Sequence, residues 1–286
     1  MEINMTTEQL AWKIRRHAIE MTHLSGGSHV GAILSEADAI AVLYGEVLNV
    51  DPKNPDWEER DRFILSKGHA GAGVYAALAE CGFFDIEELK THYQNGSRLS
   101  GHVSHKGVPG IELSTGALGH GLSVGIGRAL AAKKDNKAYR TYVMLGDGEC
   151  DEGSVWEAAM FANHFKLDNL VAIIDHNKMQ SLDFCENTIS LAPFADKWKA
   201  FGWNVISIDG HNHDELKKAF VDAKAFKNKP TVIISNTIKG KGISFMENDI
   251  LWHYRFPHDG WEYDDSLKEL HENMPDGISD PYEVRK

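Results

Sequence analysis

Four apolar runs constrain this chain more than any other feature: "TYVMLG" at 141–146, "LVAIID" at 170–175, "NVISID" at 204–209 and "TVIISN" at 231–236. Each is short, rich in β-branched residues and without apolar–polar alternation. That is the signature of strands covered on both faces. Segments of helical spacing lie between and around them: "SVWEAAMFANHF", "FADKWKAFG" and "HDELKKAFVDAKAF". Strands alternating with helices predict a mainly parallel sheet between two helical layers, a three-layer α/β/α fold.

Upstream, "TTEQLAWKIRRHAIEM" places Leu10, Ile14, Ala18 and Met21 at helical spacing, with Gly26-Gly27 as the stop. "SEADAIAVLYGEVL" reads as a second helix with a capping-box-like start at Ser35 and Asp38. "DRFILS" reads as a short strand and "GHAGAGVYAALAECG" as a small-residue helix. No internal repeat, linker or composition shift divides the chain, so residues 1–286 are expected to form one domain, with an acidic tail from about 257 and a short helix near "SLKELHE".

The net charge of −12 argues against a nucleic-acid partner, and no apolar run reaches the ~20 residues of a bilayer span. Cys81, Cys150 and Cys185 are odd in number and lack CxxC spacing, which suits reduced thiols and a cytoplasmic location.

The chemistry concentrates at "GDGECDEG", directly after the first of the four strands. In open parallel sheets ligands bind beyond the carboxyl ends of strands. Glycines there let the backbone approach an anion, and a following helix N-terminus favours phosphate. Asp147 adds negative charge where phosphate belongs, which makes sense if a cation bridges the two. Mg²⁺ takes one or two protein oxygens and completes its shell with phosphate and water. Asn177 offers a neutral oxygen 30 residues on, at the next strand end, and a carbonyl near Met179 could complete the set. A bare "GDG" is usually a turn; the strand-end position and the second strand-end ligand reverse that. "GHGLSVG" at 119–125 misses the dinucleotide fingerprint by one residue and follows no strand, so it is discounted.

"GDG" followed by asparagine at this interval resembles the thiamine-diphosphate motif, and the wider pattern resembles transketolase. "SGGSHVGAILS", "LSKGHAGAGVYAAL", "GSRLSGH", "GIELSTGALGHGL", "DHNKMQS" and "KGKGISFMENDILWH" fall in that family's order, from about Gln9 to His253. The resemblance implies a thiamine-diphosphate-binding fold and the N-terminal, diphosphate-binding subunit of a split transketolase. Its separate partner would be a C-terminal subunit carrying the pyrimidine-binding domain, in an α2β2 assembly. Such an enzyme moves a two-carbon ketol unit from a ketose to an aldose acceptor, often phosphorylated, within carbohydrate metabolism of the pentose-phosphate type.

The implied roles follow by motif. Asp147 and Asn177 would hold Mg²⁺ (or Ca²⁺ or Mn²⁺) with the Met179 carbonyl, and Gly146 and Gly148 would meet the diphosphate. Gly116 and Leu118 would flank the aminopyrimidine. His69 and His253 would line the diphosphate and the reacting carbon, and His29 and His102 would meet donor hydroxyls. Glu152 would lie buried at a subunit interface. Histidines suit this chemistry because a proton leaves one sugar hydroxyl and returns to another near neutral pH. His23, His92, His164 and His271 read as surface residues, while His105, His120 and His258 stay ambiguous. "GHVSH" and "WHYRFP" depart from the family's "GHP" and "WHG", an arginine common just upstream of the "GS" turn is absent from "THYQNGSRLSGH", and Tyr93 and Tyr254 are expected to reshape the substrate mouth. Those departures leave open an unusual donor: branched, deoxy or sulfonated. The α subunit of a 2-oxo-acid dehydrogenase, a deoxyxylulose-phosphate synthase and a non-catalytic cofactor-binding remnant are the alternatives. "SKGHA" and "KGKGISFMEN" count against the first, chain length against the second and the intact histidine set against the third.

Overall fold

A computed structural model of the chain describes residues 4–283. Helix α1 spans Thr7–Ser25, with a capping box between Thr6 and Gln9. It ends at Gly26, whose φ of 65° lies where glycine carries no steric cost. Helix α2 spans Val30–Val42, strand β1 Arg62–Leu65 and helix α3 Gly71–Glu80. Helix α4 spans Gly121–Lys134, strand β2 Thr141–Gly146, helix α5 Gly153–His164 and strand β3 Leu170–His176. Then come α6 (Cys185–Thr188), α7 (Phe194–Ala200), β4 (Asn204–Asp209), α8 (His213–Ala225), β5 (Thr231–Asn236) and α9 (Trp261–Glu272).

The five strands form one parallel sheet in the order β1-β2-β3-β5-β4. Steps from β1 through β3 to β4 run one way along the sheet, and right-handed crossovers therefore put α4, α5 and α7 on one face. The step from β4 back to β5 reverses direction and sends α8 to the other face. The cores match: Ile126, Val155 and Trp198 pack on Val143, Leu145, Ala172 and Ile174, whereas Leu216 and Phe220 join α1, α2 and α3 on Tyr142, Met144, Val171 and Ile173. Alternate strand residues thus feed opposite cores. Each fully buried aliphatic side chain contributes roughly 1.5–3 kcal/mol.

Three expectations change. "NVISID" is an edge strand, with only Ile208 buried, because β4 pairs with β5 alone. Helix α2 begins at Val30, not Ser35; His29 precedes it with φ 75°, and Ser35 and Asp38 lie buried inside it. Ser35 turns its hydroxyl to the Ala32 carbonyl and to Asp175, while Asp38 binds Arg15, His211 and His213. Helix α4 has no counterpart among the segments expected from the sequence. Its glycines serve packing: a Cβ on Gly121 would lie 2.3 Å from Ser66 Oγ, and one on Gly125 2.4 Å from Val143.

His92 is a further correction, for it is buried rather than on the surface. His23 is half-buried too; it stacks on Tyr263 and pairs through Nδ1 with the Pro257 carbonyl, docking the tail. Neither ring nitrogen of His92 makes an aligned hydrogen bond. Burial pulls its pKa down to about 4, against a smaller upward pull from the Met21 carbonyl. From pH 6.5 to about 4 the unfolded chain therefore holds a proton that folded His92 refuses, so stability falls as pH falls through that window. The slope is up to about 1.4 kcal/mol per pH unit for one such group. His92→Phe is expected to make the decline shallower by about one proton, read from urea midpoints between pH 4.5 and 7.

Candidate active site

The carboxyl ends of four neighbouring strands form one floor. Lys67 and His69 follow β1, Asp147 and Gly148 follow β2, Asn177 and Met179 follow β3, and Lys239 follows β5. All line one cleft of about 400 Å³. A tight turn over Gly148–Asp151 precedes α5, so the glycine amide, not the helix itself, stands nearest Asp147.

Asp147 is 2% exposed and accepts from the Gly148 amide at 2.8 Å and the Lys178 amide at 2.5 Å. Among the described residues no lysine, arginine or histidine forms an ion pair with it. Burial pushes its carboxyl up to about 7, with further upward pressure from Asp175. A cation would restore the charged form. Asn177 Nδ2 donates to Asp175 Oδ2 at 2.9 Å, which gives its Oδ1 the outward place, where the Met179 amide reaches it at 3.1 Å. A Cβ on Gly148 would come within 2.7 Å of Gln180, so the loop leaves no room for a side chain there.

The other carboxylates of "GDGECDEG" have separate tasks. Glu149 is buried and accepts from the Gly119 and Gly146 amides at 2.8 and 3.0 Å, and from Ser66 Oγ. It thereby ties the loop carrying Gly116 and Leu118 to the end of β2. Asp151 accepts from Gln180 Nε2 at 2.6 Å. Glu152 is exposed in the single chain, lies outside the cleft and packs against Gly119.

Beneath the floor Lys67 Nζ sits 2.6 Å from Asp175 Oδ2 and 2.9 Å from Glu36 Oε2, all three buried. The Glu36 contact is an ion pair out of line for a hydrogen bond. One lysine cannot hold two buried carboxylates equally. Burial pushes Asp175 up, but Lys67, Ser35 and Thr237 outweigh it and hold Asp175 below its usual range. Glu36, pushed by burial to about 8 despite Lys67, takes the proton.

Four histidines make the wall. The rings of His29 and His69 lie 4.8 Å apart, His29 and His253 5.2 Å, His29 and His102 5.8 Å, and His69 and His253 5.8 Å. Burial, then His102 and Lys239, lowers His29 to about 4; burial, then Lys239 and His29, lowers His253 to about 3. His69 lies well below its ordinary value, from burial and Lys67. These three imidazoles are neutral at pH 7. Lys239 Nζ is 2.6 Å from His253 Nδ1. A donating ammonium there leaves the His253 proton on Nε2. His29 Nδ1 is buried without an aligned hydrogen bond, although the His253 backbone is close enough to pull the His29 pKa upward against the burial.

Eleven of the twelve site residues singled out in the sequence converge here: His29, His69, His102, Gly116, Leu118, Gly146, Asp147, Gly148, Asn177, Met179 and His253; Glu152 stands apart. His105, His120 and His258 are exposed and outside the cleft. Lys67, Glu149, Asp175 and Lys239 escaped sequence reasoning. A lysine just after a strand, in "SKGHA" and "NTIKG", was the available signal for two of them. One buried carboxylate, one amide oxygen and the Met179 carbonyl, which takes only a long 3.4 Å bond from Lys239 Nζ, fit a hard divalent cation. The closely packed glycine at 148 fits a bound organic cofactor.

The profile described as "Transketolase, thiamine diphosphate binding domain" matches residues 6–254. The chain is 47% identical over 240 residues to the 6-deoxy-6-sulfo-D-fructose transketolase subunit SqwG of Clostridium sp. (strain MSTE9), covering 84% of this chain and 87% of that protein. It is 42% identical over 269 residues to an apulose-4-phosphate transketolase subunit of Phocaeicola vulgatus, covering 94% and 95%. Among solved structures, the transketolase of Campylobacter jejuni superposes with a TM-score of 0.87 at 32% identity, over 94% of this chain and 42% of that one. The chain thus spans about two fifths of that transketolase. The motifs, the parallel sheet and these matches place the chain in the transketolase family, as its thiamine-diphosphate-binding domain.

Proposed function

We propose that the chain is the diphosphate-binding subunit of a transketolase, transferring a two-carbon ketol unit from a ketose donor to an aldose acceptor together with a separate pyrimidine-binding chain. The observation that carries this reading is the convergence of four histidines over the Asp147–Asn177–Met179 floor. That relatives of nearly the same length are called subunits supports a partner chain, and two-fold pairing of such units gives α2β2. Mg²⁺, with Ca²⁺ or Mn²⁺ as substitutes, suits the floor's oxygen donors. Phosphorylated acceptors and a cytoplasmic setting complete the reading; among the described residues no helix is long and apolar enough to cross a membrane.

Bound thiamine diphosphate supplies the nucleophilic carbon and the electron sink for carbon–carbon cleavage. The chain's residues do the rest. Asp147, Asn177 and the Met179 carbonyl would hold the metal, and the Gly148 amide, with Gly146, would meet the diphosphate. Gly116 and Leu118 would flank the aminopyrimidine, and Glu152 would pair at the subunit interface with the partner's own glutamate. His253 Nε2 and His69 hold and return the proton exchanged with the sugar hydroxyl, and His29 and His102 orient the donor. A remnant without catalysis has no use for such a wall.

Two exposed tyrosines favour an unusual donor: branched, deoxy or sulfonated. Tyr254 lines the cleft, stacks edge-on against His29 at 5.3 Å and is 59% exposed. Tyr93, 58% exposed, lies against Gly101 beside His102. The relatives named for 6-deoxy-6-sulfo-D-fructose and apulose 4-phosphate support the same direction. Steady-state kinetics across donors test it: ordinary ketose phosphates should be cleaved with lower kcat/KM than branched, deoxy or sulfonated ketoses.

The histidine roles are separable. His102→Ala should raise donor KM about tenfold with kcat little changed, because a hydroxyl contact serves ground and transition states alike. His253→Ala should instead lower kcat, by roughly 10²–10⁴ if it moves a proton in the transition state. The reverse assignment, measured at donor saturation, would exchange binder and catalyst.

A further inference from the structure

Asp175 is a fully enclosed carboxylate at the end of β3, two residues before Asn177. Its oxygens are claimed from four directions. Lys67 Nζ, after β1, donates to Oδ2 at 2.6 Å; Ser35 Oγ, on α2, donates to Oδ2 at 2.6 Å; Thr237 Oγ1, after β5, donates to Oδ1. Asn177 Nδ2 is a third donor to Oδ2, at 2.9 Å. A carboxylate only accepts, so the Asn177 side chain must present its NH₂ to Asp175 and its Oδ1 to the opposite side. On that side lies the cleft.

We infer that Asp175 is a positioning residue: pinned by Lys67, Ser35 and Thr237, it fixes the amide orientation of Asn177 so that Oδ1, not Nδ2, faces the divalent cation. The inference rests on the reading of Asn177 as a metal ligand. Without Asp175 only the Met179 amide, 3.1 Å from Oδ1, still favours that orientation, and the amide can turn its NH₂ toward the cation, where it cannot coordinate. The lysine, serine and threonine come from three different elements and converge on one carboxylate. Asp175 is the anionic partner of Lys67, but the serine and threonine carry no charge to balance, and their convergence on the same carboxylate fixes its orientation as well. Outer partners that orient a ligand typically change metal affinity roughly 10–100-fold when removed.

The test is a mutant cycle on Mn²⁺ affinity, read by electron paramagnetic resonance of free Mn²⁺ with the full chain and saturating thiamine diphosphate. Asp175→Asn and Asn177→Ala are made singly and together, and Thr237→Val replaces Asp175→Asn in a second cycle. Thr237→Val alters no charge and does not touch Asn177, so it remains informative if Asp175→Asn fails to fold. Asp175→Asn is expected to weaken Mn²⁺ roughly tenfold or more, and Thr237→Val severalfold. Neither should weaken it further once Asn177 is alanine. Equal weakening in both backgrounds would mean that Asp175 acts through bulk charge or folding, and would overturn the inference, as would unchanged affinity in both first variants. Mn²⁺ binding to Asn177→Ala as tight as to the unmutated chain would instead remove Asn177 from the metal site. That result ends the underlying reading and the inference together.

Discussion

Asp147→Ala should lose its cofactor rather than merely turn over slowly. Asp147 is the carboxylate that the floor aims into the cleft, and its carboxyl is held near 7 by burial and by Asp175. In the proposed site, replacing it would remove the charge that holds the cation, and the diphosphate would lose its metal partner. Thiamine-diphosphate affinity should fall on the order of a hundredfold, about 2.7 kcal/mol, by calorimetric titration at fixed Mg²⁺. Asn177→Ala should act in the same direction but less severely, because water can replace a neutral ligand. Undiminished cofactor affinity in Asp147→Ala would refute the metal site.

The second large effect is the absence of turnover from this chain alone. The cleft holds the floor and the histidine wall, but in the proposed enzyme a glutamate that activates the aminopyrimidine belongs to the other domain. Glu152 cannot replace it: it is exposed, lies outside the cleft and sits behind Gly119. An open pyrimidine half would also let water quench the reactive carbon. Ketose cleavage assayed with Mg²⁺ and thiamine diphosphate should be at background for the chain by itself, and should rise by orders of magnitude when the product of the adjacent gene is added. Substantial turnover without it would sink the two-chain reading.

The sheet and the site differ in how legible they were. β2, β3 and β5 announce themselves because strands buried on both faces must be apolar throughout. β4 carries the same kind of run but lies at an edge, and nothing local distinguishes the two positions. Helix α4 is hidden because its inward face mixes only two large apolar residues, Leu122 and Ile126, with Gly121, Gly125, Ala129 and Ala132, small residues that pack closely without a strong apolar stripe. The cleft's surface residues were readable as motifs. Its supports were not: Glu36, Lys67 and Asp175 meet across 31 to 139 residues of sequence, and charge pairing at such range leaves no spacing rule. Within "GDGECDEG" four carboxylates look alike on paper, yet one faces the cleft, one latches a loop, one holds Gln180 and one is left in water.

The floor and the wall of the cleft are anchored differently. Asp147 and Asn177 follow directly from paired strands, and their backbone positions are locked by the register of the whole sheet. His29, His102 and Tyr254 sit on excursions between helices and turns that share no ladder with one another. A lineage can therefore rewrite which sugar it accepts by exchanging those excursions while its cofactor machinery is inherited intact. The same partition tells a protein engineer where loop grafts are tolerated and where a single substitution would be felt by every strand.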